Sequence, residues 1–382
     1  MAAASPSWRP LEGAAHQIAV EVLIHGPISR SEIARRLSMS PATLTRVTKP
    51  LLDAGLLFEA TKEEGGARLG RPSQPLDVDP ASRHFVGVKI TSDAAHGVLT
   101  DLRANVQSQA VRPIADRAPD SVVATIAALT AELAAQVDRV TALGVSAGGV
   151  TEDNASLKWA AYMGWPDAVP LGPLLQERTG LPTVVENDVA AWTEAERWFG
   201  DGRDEPSFAL VTTGMGVGFS LVTHGGRAAS RDIGVGSLGH VPLDPLGPPC
   251  AQGHHGCAEA MLTSGAIEAT VGIGLGRSVA YEEVLALAAE GQPVAVSTVA
   301  ASARALGRLL ALIANTTFVP LIIVSGEGIG LAVQQEALVR AEFAAGRHPM
   351  ARDVRLLLKQ APFTEWARGA AVVAVQTYVL GR

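Results

Sequence analysis

The sequence predicts an α/β protein in two parts, an N-terminal winged helix-turn-helix over residues 1–75 and a larger two-lobed α/β body over residues 76–382. Three observations predict it. Two short helical patterns separated by a three-residue turn lie within residues 29–57. Past residue 80 the pattern changes to strands alternating with amphipathic helices, as in a sheet covered by helices. Charge divides along the same line: residues 26–75 carry eight Lys/Arg against five Asp/Glu, a surplus of three in a chain of net charge −7, which leaves −10 for the rest. A basic head on an acidic body suits a nucleic-acid contact made by the head alone.

In the head, Ile33, Ala34 and Leu37 form the narrow apolar face of a first helix, with Arg30, Glu32, Arg35 and Arg36 turned outward. Ser38-Met39-Ser40 is the turn. Ser40 suits the N-cap of the second helix and Pro41 its first position, where a missing N–H costs nothing. That helix should bury Leu44, Val47 and Leu51 and leave Thr43, Thr45, Arg46 and Lys49 on a free face, able to reach base edges and phosphates in a major groove. Pro50 predicts a kink or an early end. Residues 56–61, the Gly65-Gly66 turn and the arm Arg68-Leu69-Gly70-Arg71-Pro72 read as a wing, and Arg68 and Arg71 suit a narrow minor groove. The competing interpretation is an ordinary helical hairpin with a solvated basic face. Residues 74–80, with Pro75 and Pro80, read as a linker.

A chain of 382 residues, 47% of them hydrophobic, supports two or three domains with a sizeable core. Two cysteines and no secretory start predict a reducing, cytoplasmic setting, and no apolar run is read as a membrane span. Residues 84–90, 97–102, 143–145 and 180–185 read as strands, and 208–212 with 219–223 as a glycine-linked strand pair. Residues 121–137, with Val122, Ile126, Leu129 and Leu133 at helical spacing, and residues 190–198 read as helices.

Short motifs then follow in one order. They are Phe85-Val86-Gly87-Val88-Lys89-Ile90, Gly144-Val145-Ser146-Ala147-Gly148-Gly149-Val150, Glu186-Asn187-Asp188-Val189-Ala190, Thr213-Gly214-Met215-Gly216-Val217-Gly218, and Leu238-Gly239-His240 leading to Cys250, Cys257 and Glu259. With Val324-Ser325-Gly326-Glu327-Gly328 they resemble the ROK family of repressors, open reading frames and sugar kinases, over about residues 80–382. The resemblance implies the two-lobed actin-like, ribonuclease-H-like fold with sugar in the cleft. A helix-turn-helix ahead of it resembles the repressor branch.

Family kinases begin with a strand and Asp-x-Gly-Gly-Thr, which organises Mg²⁺ and closes on phosphate. Lys89, Thr91, Ser92 and Asp93 stand there in this chain, so no ATP use and no enzymatic phosphotransfer are expected. The glycines of Gly214-Met215-Gly216-Val217-Gly218 are explained by a hairpin turn needing positive φ. Asn187 and Asp188 match the family pair in which the aspartate is general base. Without ATP that carboxylate still accepts a hydrogen bond from a sugar hydroxyl, and the alternative is an aspartate capping the next helix. His240 and Glu259 match sugar-contacting positions. Ser237 replaces a family glutamate and Tyr162 an asparagine ahead of Gly164-Trp165, which removes acceptors for ring hydroxyls. The effector is then a sugar, a modified sugar or a less polar molecule, or there is none.

The family's zinc block supplies one imidazole and three thiolates. His240, Cys250 and Cys257 match it, but Gln252 replaces the middle cysteine. His254 or His255 could supply the fourth bond. The alternative is a zinc-free loop with two reduced cysteines. Together these readings predict a DNA-binding transcriptional regulator, a repressor, forming a homodimer or tetramer that binds operator DNA and a sugar-like effector, with no membrane partner. The alternatives are a bifunctional DNA-binding sugar kinase and a body serving only as an oligomerisation or partner platform.

Overall fold

The computed structural model describes residues 12–60, 74–228 and 234–380, so the arm carrying Arg68 and Arg71 lies outside the described residues. In the head, α1 (Gly13–His25), α2 (Arg30–Arg36) and α3 (Pro41–Asp53) pack through Ile18, Val22, Ile33, Leu44 and Leu51, none more than 3% exposed. The third buried position on α3 is Thr48, and Val47, expected there, is only half-buried. The early end expected at Pro50 does not occur, since α3 continues to Asp53. Pro50 and Arg46, whose carbonyl loses its donor, both sit on the exposed side, where water can replace that bond.

β1 (Phe58–Glu59) pairs antiparallel with β2 (Leu76–Asp77). Leu76 is fully buried and exchanges two backbone hydrogen bonds with Ile28, at 2.8 and 3.0 Å. The segment read as a linker is therefore partly a strand of the wing. Burial of one leucine fixes it, a signal the neighbouring prolines mask.

Next come β3 (His84–Ile90), β4 (Ala94–Asp101), β5 (Val106–Pro113), α4 (Pro119–Ala134), β6 (Val140–Ala147), β7 (Val150–Glu152), β8 (Ser156–Trp159), α5 (Leu171–Thr179) and β9 (Thr183–Asn187). They build a sheet of order β5-β4-β3-β6-β9. β3 is buried along nearly its whole length, as a central strand must be, while β5 alternates at the edge. The spacing read on α4 holds: Val122, Ile126, Leu129 and Leu133 are fully buried.

The chain continues as α6 (Asp188–Phe199), β10 (Phe208–Thr213), β11 (Val217–Thr223), β12 (Gly226–Arg227), α7 (Ala258–Leu262), α8 (Ser264–Leu275), α9 (Tyr281–Ala289), α10 (Pro293–Thr317), β13 (Leu321–Ser325), α11 (Ile329–Gln334), α12 (Glu336–Ala345), β14 (Arg355–Leu358) and α13 (Phe363–Tyr378). The second sheet has the order β12-β11-β10-β13-β14. Its layout repeats the first, with three antiparallel strands and a parallel partner beside them. α10 is long and apolar enough to span a membrane, with mean hydropathy 1.4 over its best 18 residues, which the sequence reading did not foresee. It is apolar because it is a core helix, burying Val299, Ala303, Leu306 and Leu310.

Among described residues the chain forms two compact units. The first takes Met1–Ala147, Glu152–Glu186 and Ala367–Arg382, and the second takes Gly148–Thr151 and Asn187–Trp366. The head thus belongs with the first sheet, and α13 begins in the second unit and ends in the first.

Candidate functional site

The recognition-helix candidate is built by its caps. Ser29 Oγ accepts from Glu32 N at 3.2 Å to start α2, and Ser40 Oγ accepts from Thr43 N at 3.1 Å to start α3, with Pro41 in its first position. Ser38 turns between them at φ 51°. Thr43 is half-buried and its hydroxyl lies 2.9 Å from Ser40 Oγ, while the Thr45 hydroxyl donates to Pro41 O at 3.0 Å. Both hydroxyls are thus partly committed to the helix itself. The arginines of α2 are committed too: Arg35 and Arg36 bond Glu32, and Arg30 bonds Glu59 at 2.6 Å. Hydrogen bonds from Arg35, then Arg36, hold the Glu32 carboxyl down at about 2. Arg46 and Lys49 are exposed, and no described residue pairs with either.

At the junction of β9 and α6, Asn187 is the N-cap. Its Oδ1 accepts from Ala190 N at 3.1 Å and its Nδ2 donates to Gly149 O at 2.9 Å. The N-cap is thus Asn187, while the Asp188 carboxylate accepts from Val189 N at 2.8 Å within the first turn, so both residues hold the start of this helix. Asp188 opens the first turn, 8% exposed, where the helix dipole favours a carboxylate. Gly234, at φ 92°, packs so closely on Gly149 that a Cβ would collide with the Gly149 carbonyl. His240 Nδ1 lies 3.3 Å from Glu259 Oε2, and both side chains are exposed. The structure therefore joins Asn187 to Asp188 and His240 to Glu259, both pairs in the second unit. Tyr162 is exposed in a short turn of the first unit.

The cysteine loop is the candidate metal centre. Ligand atoms of His240, Cys250, His254 and Cys257 all lie within 4.8 Å of one another. Cys250 Sγ is 3.8 Å from His240 Nδ1 and 3.6 Å from His254 Nδ1, and Cys257 Sγ is 3.9 Å from His240 Nδ1. A zinc tetrahedron with bonds of about 2.3 Å to sulfur and about 2.0 Å to nitrogen has S···N edges of about 3.6 Å, so these residues fit the ion. Of the two histidines considered for the fourth bond, His254 joins the group and His255 does not. Burial pushes the Cys250 thiol up, but backbone N–H groups of Gln252 and His254 and the Cys257 side chain outweigh it, leaving its pKa below the ordinary value. Gln252 thus contributes its backbone to a loop where its amide is a poor ligand. Gly256, at φ 53°, lies against Asp244, and Arg308 of α10 donates to Leu243 O at 2.9 Å, fixing the loop's base.

Lys89 is buried on β3, in register with Ser146 and His96. The loop after it closes on itself: Thr91 Oγ1 donates to Asp93 Oδ1 at 2.8 Å, and Arg117 Nε donates to Ser92 O at 2.8 Å. The positive φ expected of Gly214, Gly216 and Gly218 is absent. Close approach explains two of these glycines instead, because a Cβ on Gly218 would strike Thr212 and one on Gly214 would press on Glu327 at 3.1 Å. Residues that sequence reading missed include Arg103, Asp77 and Arg368. Their contacts span 26 and 264 residues, so no local pattern marks them.

A family model described as MarR matches residues 22–58, and the ROK family model matches residues 85–376. The DNA-binding transcriptional repressor Mlc of Escherichia coli is 26% identical over 304 residues, 76% of this chain and 75% of its own length. A ROK family transcriptional regulator, described as a homolog of the E. coli MLC protein, superimposes with a TM-score of 0.78 at 26% identity, covering 96% of each chain. A ROK family glucokinase from Streptomyces griseus, solved with glucose and AMPPNP, gives 0.63 at 25% identity, covering 76% of this chain and 98% of its own. The kinase accounts for about the length of the body, whereas the regulator accounts for head and body together. With its motifs in order and three quarters of its length within the ROK model, this chain belongs to the ROK family.

Proposed function

We propose that the protein is a DNA-binding transcriptional regulator, a repressor, whose body senses a sugar or sugar-like effector. Residues 1–75 act as the reader and residues 76–382 as the effector-binding, self-associating body, working in the cytoplasm as a homodimer or tetramer on operator DNA. The observation that carries this is the state of α3, a helix capped by Ser40 whose exposed Arg46 and Lys49 are left unengaged while the arginines of α2 are tied to carboxylates. Ser40, Thr43, Thr45, Arg46 and Lys49 face DNA, joined by Arg68 and Arg71 of the wing. The relative Mlc, named as a DNA-binding repressor, supports the same assignment.

Asp188 accepts a hydrogen bond from an effector hydroxyl, Asn187 holds it in place, and His240 and Glu259 complete the polar set. An imidazole that gives Nδ1 to a metal keeps Nε2 for the effector, so His240 serves both roles. Zinc, when bound by His240, Cys250, His254 and Cys257, supplies a structural cross-link. Effector binding changes the separation of the recognition helices, and half-site spacing is no longer matched.

The likeness to the S. griseus glucokinase favours a second reading, a kinase fused to a reader. Lys89 opposes it, because a cation replaces the carboxylate that helps organise Mg²⁺. Purified protein with ATP, Mg²⁺ and a hexose and N-acetylhexosamine panel should yield no sugar phosphate, and turnover near about 1 s⁻¹ would establish the kinase reading. Selection of DNA from a random pool should return an imperfect palindrome. Failure to enrich any sequence would remove the regulator reading.

A further inference from the structure

The turn between β4 and β5 is a rigid platform. The Asp101 carboxylate accepts from Arg103 N at 2.8 Å, Asn105 N at 3.0 Å and Asn105 Nδ2 at 2.9 Å, and the buried Ala104 takes φ 56°. From this platform the Arg103 guanidinium reaches the head. It donates to Leu23 O at 3.0 Å, Val22 O at 3.1 Å and Asp77 Oδ1 at 2.5 Å. Leu23 O would ordinarily accept from the residue four places on, which is Pro27 and has no N–H. Arg103 fills that acceptor. Asp77 belongs to β2, so one side chain grips both the end of α1 and the wing. Gly26 fits the grip because a Cβ there would lie 2.5 Å from Val22 O and 2.6 Å from Arg103 Nη2.

The other side of the platform is held by the last helix. Arg368 Nε donates to Ala104 O at 2.9 Å from α13. Two residues earlier on α13, Trp366 packs on Trp192 at 4.6 Å between ring centroids, and Trp192 lies on α6, which opens with Asp188. His16 Nδ1, 2.8 Å from Leu380 O, attaches the opposite end of α1.

We propose that Arg103, held by Arg368 through the β4–β5 turn, is the positioning residue that fixes the DNA reader on the first unit and so sets how strictly the protein measures half-site spacing. This rests on the reading of the chain as a DNA-binding regulator. Arg103 touches neither the exposed face of α3 nor the effector residues. It acts on orientation, through a forked guanidinium that lysine cannot replace at two carbonyls and a carboxylate together.

The test uses full-length wild type, Arg103→Gln, Arg103→Lys and Arg368→Gln on a site selected by wild type, rebuilt with one to five base pairs added between half-sites. Wild type should lose at least about tenfold in affinity by half a helical turn, about five base pairs. Arg103→Gln and Arg368→Gln should bind the original site within about threefold of wild type and flatten the spacing dependence to about threefold or less, with Arg103→Lys between. A spacing dependence in Arg103→Gln as steep as wild type overturns the proposal. Hydrogen exchange without DNA separates this from failure of the regulator reading. Faster exchange in the last turn of α1 and in β1 and β2, with β3 and β6 unchanged, is expected. Unchanged exchange in the head overturns the proposal even if no DNA is ever selected. If Arg103→Gln loosens β3 and β6 as well, Asp77→Asn, which keeps an acceptor, provides the same two measurements.

Discussion

Arg46 and Lys49 matter because of what their neighbours already hold. Arg30, Arg35 and Arg36 are neutralised within the head, so the charge offered by the helix pair is concentrated on α3. Arg46→Ala should cost roughly 1–3 kcal/mol against the selected site and relax preference at one base, whereas Lys49→Ala should weaken all sequences alike. Anisotropy titrations against matched and scrambled duplexes measure this, and equal losses on both duplexes for Arg46→Ala would make it a phosphate contact. Glu32 gives a pH prediction. Its folded pKa, about 2 because of hydrogen bonds from Arg35 and Arg36, lies below the ordinary 4.5. The stabilisation is therefore complete above pH 4.5 and lost as pH falls toward 2. Glu32→Gln should be less stable than wild type at neutral pH, and the two melting temperatures should converge near the acid end. At this scale the sequence was readable where the signal is local, as at Ser40, Pro41 and the two cysteines. It was silent on Arg103, and it could not choose between His254 and His255, adjacent residues of which only one turns into the cysteine group.

Elements follow the same rule. A run apolar except at His84 and Lys89 announced β3 with its bounds at 84 and 90, as expected of a strand buried along nearly its whole length. β5 went unread because this edge strand, exposed at alternate positions, carries as many polar residues as apolar ones. The wing strand β2 hid behind prolines, its assignment resting on one buried leucine. The cap of α3 makes an element-level prediction: Ser40→Ala removes the acceptor for Thr43 N and should cost about 1 kcal/mol of stability, seen as a lower denaturation midpoint with helical signal retained. Ser40→Asp should restore most of the loss, and a midpoint unmoved by Ser40→Ala would show the bond to be inconsequential. For the cysteine loop, elemental analysis should find one zinc per chain. Cys250→Ser, Cys257→Ser and His254→Ala should each release it and lower the melting temperature, while His255→Ala should retain it. Zinc content unaffected by His254→Ala would return the fourth position to another donor.

At the scale of the molecule, motif order made the α/β body legible, but chain order concealed how it is divided. The first unit gathers three separate stretches, and its last helix arrives after the whole second unit has been traversed. A linear reading by charge and proline puts a boundary after residue 75, whereas Leu76 and Asp77 pair with Glu59 and Phe58 in the wing. It cannot show that the head shares a unit with residues 367–380, because the bond from His16 to Leu380 O joins residues 364 positions apart. The last prediction depends on this arrangement. Asp188 opens α6, whose Trp192 packs on Trp366, and α13 ends within the unit that carries the reader. A ligand can shift operator affinity only by its differential affinity for the two states, typically about 1–3 kcal/mol of coupling, or roughly 5- to 150-fold. On the proposed function, Asp188→Ala removes an effector acceptor without touching α3. Its operator affinity without effector should stay within about threefold of wild type, while the response to effector should vanish. Asp188→Asn should keep part of the response, since an amide oxygen still accepts one hydrogen bond. Linkage adds a check on direction: if effector weakens operator binding by some factor, operator must weaken effector binding by the same factor, and both should collapse together in Asp188→Ala. Equal effector responses in wild type and Asp188→Ala would remove Asp188 from the effector site, and the body would then be read as a platform for self-association.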